Sequence, residues 1–365
     1  MTEYMPADLR SVYDRVMNDK RISPDEGLAL FKSNNLGFLG HMADIIRRRK
    51  NGKRAFFNRN FHIEPTNICI HNCEFCSYKK AAGSPLAWNH SPEEILDIVK
   101  SFDKKPVTEV HIVGGVHPDH DIDYYCRILD MIRRHRPKLH IKAFSAIELD
   151  YIIQKSGLGL KEGLLKLKEH GLGSIPGGGA EIFDEKIREI ICRDKSSSEM
   201  WLKIHKEAHK AGIPSNATIL YGHMEKYEHR IDHMERLRVL QDQTGGFNSF
   251  IPLKFRMENN KMYDYGEVNI IEDMKNYAVS RIYLDNFPHI KAYWPALGKE
   301  STQLALSFGV DDVDGTIDDT TKIYSMAGAE DSKPAMTTDN ICSLIRGAGY
   351  QPVERDTLYN TVREW

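Results

Sequence analysis

Three thiols stand close together in the run Ile68-Cys69-Ile70-His71-Asn72-Cys73-Glu74-Phe75-Cys76. A C-x3-C-x2-C spacing suits three irons of a four-iron cluster, each thiolate taking one iron. The fourth iron then has no cysteine and is open to a ligand that is not protein, which is where chemistry can be done. Two other readings are weaker. Free cysteines are often small buried hydrophobes, but such thiols rarely cluster beside polar His71, Asn72 and Glu74. A zinc site completed by His71 is the second option, yet structural zinc usually draws ligands in separated pairs and no second C-x2-C occurs. Cys126, Cys192 and Cys342 are isolated and read as ordinary core or surface thiols.

A cluster loop needs a scaffold. From Phe61 onward short strand-like segments alternate with longer helical patterns, the signature of a parallel β/α architecture. Eight candidate strands lie near Phe61–Thr66, Glu109–Gly114, Leu139–Ser145, Gly173–Gly177, Ser215–Tyr221, Asn248–Lys254, Pro288–Trp294 and Asp311–Gly315. That count predicts an α/β fold closed as a TIM-type (β/α)8 barrel, whose functional loops follow the C-terminal ends of the strands. The cysteine loop directly follows the first strand, so motifs at later strand ends should converge on it.

Helix starts are marked by capping boxes at Ser91-Pro92-Glu93-Glu94 and Ser196-Ser197-Ser198-Glu199. Ser23-Pro24-Asp25-Glu26 opens helices that should cover one end of the core. Residues 1–55 are therefore expected as an N-terminal helical extension and 56–365 as the barrel with a C-terminal helical segment. The polar, turn-rich stretch from Asp318 to Thr338 reads as a loop before a last helix over Thr338–Gly347. The basic run Arg47-Arg48-Arg49-Lys50 ends a predicted helix before Gly52, where cations suit the helix dipole, and is not read as an RNA site.

The chain has 365 residues, 41% of them hydrophobic, enough for one large core. A formal net charge of −2 gives no electrostatic reason to expect nucleic acid. Met1 to Pro6 lacks a basic segment followed by an apolar core, and no stretch approaches the ~18 apolar residues of a membrane span. A soluble cytoplasmic protein is expected, in a reducing compartment that tolerates scattered thiols and a labile cluster.

With Phe75 in the aromatic position before Cys76, the triplet resembles the signature of the radical S-adenosylmethionine (SAM) superfamily. The resemblance implies a [4Fe-4S] cluster on Cys69, Cys73 and Cys76, with SAM chelated at the open iron. It also implies an electron donor such as flavodoxin or ferredoxin, and reductive cleavage of SAM to methionine and a 5′-deoxyadenosyl radical. In that superfamily a glycine pair after the second strand approaches the methionine amino group. Gly114 and Gly115, in Val113-Gly114-Gly115-Val116-His117-Pro118, match it, although adjacent glycines alone would mark only a tight turn. Phe75, Ser145, Glu181 and Arg188 complete the expected SAM set. Ser145 ends the third strand, Glu181 closes the glycine-rich Gly177-Gly178-Gly179-Ala180-Glu181 loop, and Arg188 is a candidate for the methionine carboxylate. Ser145 also reads as a plain turn residue and Arg188 as a surface ion pair.

Asn216 and Thr218 alternate onto one face of the fifth strand, and His223 lies just past its end. On the seventh, His289, Lys291 and Tyr293 share a face. If that face points into the barrel, Lys291 is a costly buried cation unless it meets an anion, which a substrate carboxylate would supply. The segments His62 to Cys69, Pro176 to Phe183, Asn216 to His223 and Gly245-Gly246-Phe247 resemble the futalosine branch of menaquinone biosynthesis. Within it, Phe287 to Trp294, Asp311 to Thr316 and Val353 to Asn360 resemble the aminofutalosine synthase family more than the later cyclase acting on dehypoxanthine futalosine. Arg256-Met257 departs from that pattern, where a His-Pro pair is more usual.

This resemblance implies 3-[(1-carboxyvinyl)oxy]benzoate as substrate, SAM as a co-substrate, and 6-amino-6-deoxyfutalosine as product. His117, His223, Arg256, Arg281 and Lys291 are the candidates for holding the substrate's carboxylates. A non-catalytic iron-sulfur electron carrier is the alternative from another class, but it would be expected to bring a fourth local cysteine.

Overall fold

The computed structural model describes residues 9–317, 322–329 and 334–365. Met1 to Pro6 and parts of the expected Asp318–Thr338 loop lie outside them. Ten strands occur among the described residues: β1 (Arg54–Asn58), β2 (Asn60–Ile63), β3 (Glu109–Ile112), β4 (His140–Ala143), β5 (Ser215–Tyr221), β6 (Phe247–Lys254), β7 (His289–Ile290), β8 (Asp312–Gly315), β9 (Gln351–Arg355) and β10 (Thr361–Glu364).

β2 pairs parallel with β3 and β3 with β4. β5 pairs parallel with β6 and β6 with β7. Single bridges join these runs, Lys142 to Ser174, Ile175 to Ser215 and Lys291 to Asp312. β8 returns to β1 through Phe56–Asp312, and Asn58 accepts from the Thr316 amide at 3.2 Å. The ring closes, and the TIM-type barrel is present. Its first strand starts earlier than expected and stops at Ile63, where Pro65 disfavours further ladder. The Gly173–Gly177 strand shrinks to two bridges because Pro176 has no amide donor and Gly177 turns at φ +91°.

The barrel strands alternate polar and apolar with period two. His62, His111, Lys142, Asn216, Thr218, Lys291 and Asp314 line the interior cavity. Their neighbours Phe61, Val110, Ile141, Ala217, Ile290 and Val313 are buried in the hydrophobic core.

Capping boxes form at Ser23–Glu26 and Ser91–Glu94. At the third expected box the cap is Ser197, accepting from the Met200 amide, and methionine at that position cannot reciprocate. The basic run ends the helix Leu36–Asn51 before Gly52, at φ +59°. Arg47 is buried there and donates to the carbonyls of Val310, Gly52 and Arg54.

The expected helix Thr338–Gly347 is present, but it is followed by a hairpin that the sequence reading missed. β9 lies parallel to β1 and carries buried Glu354 and Arg355 up against the lower end of the barrel. Among the described residues no helix is long and apolar enough to cross a membrane.

Candidate active site

The cysteine loop leaves β2 at Glu64 and is fixed from several sides before its first thiol. The Thr66 carbonyl accepts from the Gly115 amide (2.7 Å) and the Tyr78 hydroxyl (2.9 Å). The Asn67 side chain bridges Leu86 and Trp88, and the Ile70 amide donates to the Val116 carbonyl at 3.0 Å. The glycine pair makes this possible. A Cβ on Gly114 would stand 2.8 Å from the Thr66 oxygen, and one on Gly115 would collide with the Ile68 carbonyl. Gly114 also lines the cavity, whereas Gly115 is buried against the loop backbone and supports it.

Cys69, Cys73 and Cys76 are half-buried and free of disulfides. Cys76 and Phe75 line the cavity. Among the described residues no three His, Cys, Asp or Glu side chains converge as ligands of one metal ion. A four-iron cluster takes each thiolate on a separate iron, so it does not ask for that convergence. Three free thiols on one anchored loop, beside a cavity, fit such a cluster.

The cavity has a volume of about 300 Å³ inside the C-terminal half of the barrel. One wall is the glycine-rich loop. Gly177 lies so close to the Asn216 carbonyl that a Cβ there would collide with it. Glu181 holds φ +47°, its carbonyl accepts from the Leu220 amide, and its carboxylate pairs with Lys195 at 2.5 Å. The same ammonium lies 5.1 Å from the centre of the Phe75 ring. Lys195 thus ties Glu181 to the cysteine loop, a link the sequence reading did not find.

Ser145 lines the cavity and caps the helix Ala146–Lys155 in a capping box with Glu148. Glu148 was also missed. Its buried carboxyl accepts from the Gly114 amide (3.1 Å), the Ser145 amide (2.7 Å) and the Ser145 hydroxyl (2.7 Å). Burial pushes it up to about 7 against those three donors.

The floor is charged. Lys291 is buried, with Nζ 3.4 Å from Asp314 Oδ1, so the anion it needs is partly supplied by the protein itself. Lys142, beside it, donates to Glu109 at 2.7 Å. His62 and His111 approach at 3.4 Å between their ring nitrogens. Burial lowers His62 to about 4, and burial, His62 and Lys142 together hold His111 well below the ordinary value, so both rings are neutral. The opposite wall is apolar and aromatic, with Ile251, Leu253, Phe255, Tyr293 and Tyr324. Near the mouth Arg256 lies 3.2 Å from Glu267 and donates to the Gly328 carbonyl at 2.8 Å.

Besides Gly115, Cys69 and Cys73, which belong to the cysteine loop and its support, four candidates do not line this cavity. Arg188 is spent on the carbonyls of Ala180, Ile182 and Ser196, which brace the glycine-rich loop from behind. Arg281 is fully buried against Asp311 and the Gly309 carbonyl. His117 stacks on His120 at 4.1 Å, and His223 is held by the Leu220 carbonyl and Glu225. For Arg188 and Arg281 the reason is physical: a guanidinium has five donors, and buried carbonyls and carboxylates near it take them.

Comparison with known proteins agrees with the site. Residues 63–237 match the model of the radical SAM superfamily and 244–365 that of the CofH/MqnC C-terminal region. The chain is 42% identical over 358 residues to an aminodeoxyfutalosine synthase of Thermus thermophilus, covering 97% of this chain and 96% of that one. It is 38% identical to the aminodeoxyfutalosine synthase of Streptomyces coelicolor, covering 98% and 94%. A 5-amino-6-(D-ribitylamino)uracil–L-tyrosine 4-hydroxyphenyl transferase of Methanocaldococcus jannaschii is 39% identical, covering 93% and 97%. Among solved structures, methylornithine synthase superposes with a TM-score of 0.72 at 18% identity, covering 93% and 95%, and shares the fold. The [4Fe-4S] cluster and SAM come with this superfamily. The chain belongs to the radical SAM superfamily and, within it, to the aminodeoxyfutalosine synthase family.

Proposed function

We propose that this enzyme joins the 5′-deoxyadenosyl group of SAM to 3-[(1-carboxyvinyl)oxy]benzoate, with aryl migration and loss of one carboxyl group as carbon dioxide or bicarbonate. The product is 6-amino-6-deoxyfutalosine, in menaquinone biosynthesis. The observation that carries the reading is a single cavity joining the cysteine loop, an apolar aromatic wall and buried lysines at its floor. Cys69, Cys73 and Cys76 would hold the cluster, which supplies the electron that cleaves SAM.

The chain's own residues orient the partners. Gly114, Ser145, Glu148, Glu181 and Phe75 face the side of the cavity nearest the thiols, where SAM would lie. Lys291 at the floor and Arg256 at the rim offer cations at separate places for a substrate with two carboxylates. Ile251, Leu253 and Tyr293 between them exclude water from a reactive carbon centre and match an aryl ring.

The similarity to the tyrosine 4-hydroxyphenyl transferase supports a second reading, in which the aromatic substrate is L-tyrosine. The dehypoxanthine futalosine cyclase is a third outcome. Mass spectrometry of anaerobic incubations with each candidate substrate separates them. Formation of 6-amino-6-deoxyfutalosine from the enol-ether benzoate is expected; turnover of L-tyrosine with 5-amino-6-(D-ribitylamino)uracil, or of dehypoxanthine futalosine, in its place overturns the proposal.

A further inference from the structure

Beneath the cavity lies a group of buried charges: Glu109, Lys142, Lys291, Asp312, Asp314 and Arg355. Their pairings divide them. Glu109 accepts from Lys142 (2.7 Å) and, on its other oxygen, from the Thr357 hydroxyl (2.6 Å). Asp312 accepts from Arg355 at 2.6 Å and from the Asp314 amide at 2.8 Å. Arg355 ends β9, which approaches the barrel from below, and Thr357 lies in the turn two residues beyond it. Burial opposes the Glu109 charge, but Lys142, Lys291 and Arg355 hold it well below the usual carboxylate range.

Of this group Lys142, Lys291 and Asp314 reach the cavity, two ammoniums against one carboxylate. Each ammonium has three donors. Lys142 gives one to Glu109, and Lys291 gives one to Asp314 across 3.4 Å. Beside them His111 lines the same cavity, and its buried Nε2 has no hydrogen-bond partner among the described residues. Over the whole lining each of the five cationic side chains has one carboxylate partner, Lys142 with Glu109, Lys195 with Glu181, Lys254 with Asp273, Arg256 with Glu267 and Lys291 with Asp314, and the Lys291 contact is the longest of them at 3.4 Å. Two buried ammoniums repelling one another beside an unsatisfied imidazole make a receptor for an anion.

We propose that Lys142 and Lys291 together bind a carboxylate of the substrate at the barrel floor, and that the C-terminal tail, through Thr357 and Glu109, positions Lys142 for it. The inference rests on the reading of the cavity as the site of an aromatic acid. The carboxylate end points down and the ring lies against the wall of Ile251, Leu253 and Tyr293. Lys142 and His111 act as binding groups, and Thr357 and Glu109 as positioning residues.

The test uses the reconstituted enzyme with SAM bound and two probes, 3-methoxybenzoate and its neutral analogue 3-methoxybenzamide, with affinities measured by calorimetry. The acid should bind at least ~10-fold more tightly than the amide, the effect of a charge-assisted contact to a buried cation. Removing Lys142 alone leaves Glu109 without its cation, so the variant pair is Lys142→Met with Glu109→Gln. It should weaken the acid ~10-fold or more and the amide little. Thr357→Val should raise KM for the enol-ether benzoate several-fold with a smaller fall in kcat, and Thr357→Ser should restore it. Equal binding of acid and amide overturns the floor receptor. Acid preference that survives Lys142→Met/Glu109→Gln also overturns it, while leaving the proposed reaction standing. Acid preference lost in that variant, in an enzyme that does not convert the enol ether, upholds the receptor and sinks the reaction.

Discussion

Alanine at Gly115 tests how the glycine pair works. The added methyl would meet the Ile68 carbonyl, with the Ile68 carbonyl carbon at 2.8 Å and the Asn67 carbonyl carbon at 3.2 Å. These are backbone atoms, so they cannot swing aside as the end of a flexible side chain would. Restoring ordinary contact moves the loop by roughly one ångström one residue before Cys69, and overpacking of this kind costs about 1–3 kcal/mol. Carried into the loop's hold on its cluster, that is a loss of about 5- to 150-fold. Gly114→Ala meets Thr66 beside the cavity, so it should weaken SAM binding while leaving more of the cluster in place. Gly159→Ala is the control, since a methyl there meets nothing within 4 Å and its φ is −69°. Iron and sulfide content after anaerobic reconstitution, with SAM affinity by equilibrium dialysis, reads both effects. Gly115→Ala with wild-type iron content and SAM affinity would refute the reasoning.

Replacing Cys69, Cys73 or Cys76 with alanine should abolish SAM cleavage and leave a chain depleted of iron; a fully active protein holding zinc and no iron would contradict this. Burial raises the Glu148 carboxyl from 4.5 to about 7, so the folded chain holds that proton more tightly than the unfolded one. The resulting stabilisation is complete below about 4.5 and is lost as pH rises through about 7, at most about 3 kcal/mol. Urea midpoints at pH 5 and pH 8 should therefore differ less in Glu148→Gln than in the wild type; an equal difference assigns the effect elsewhere. Arg281→Met leaves Asp311 buried without its guanidinium, and should lower stability by about 3–5 kcal/mol, measured by denaturant unfolding. A variant of wild-type stability would show that this buried pair is dispensable.

Much of the site was legible because its signals are local. The cysteine spacing, Gly114-Gly115 and the glycine-rich run before Glu181 each occupy a few consecutive residues, and the barrel puts all of them at strand ends. Lys291 was legible from strand alternation, and the same rule applied to Glu109-Val110-His111 and His140-Ile141-Lys142 would have pointed to Lys142 and His111. Glu148 was hidden because its sequence signature is that of a helix cap, and capping explains only one of its oxygens. Lys195 and Thr357 carry no local signal. Lys195 reaches Glu181 from a loop beyond the next helix, and Thr357 reaches Glu109 across 248 positions of sequence. Arg188 and Arg281 misled for the converse reason, since composition does not show which backbone carbonyls will occupy a guanidinium. The hairpin of β9 and β10 escaped because β9 carries Pro352 and charged Glu354 and Arg355, which read as loop until the barrel's lower end buries them.

The fate of the adenosyl carbon is the most direct measure of the proposed reaction. SAM labelled with 13C at the 5′ carbon is supplied to the reduced, reconstituted enzyme with 3-[(1-carboxyvinyl)oxy]benzoate, and products are separated and read by mass spectrometry and 13C NMR. Label is expected in a new carbon–carbon bond of 6-amino-6-deoxyfutalosine, because SAM is consumed as a co-substrate. Label recovered solely as free 5′-deoxyadenosine, with the benzoate returned intact, would contradict it.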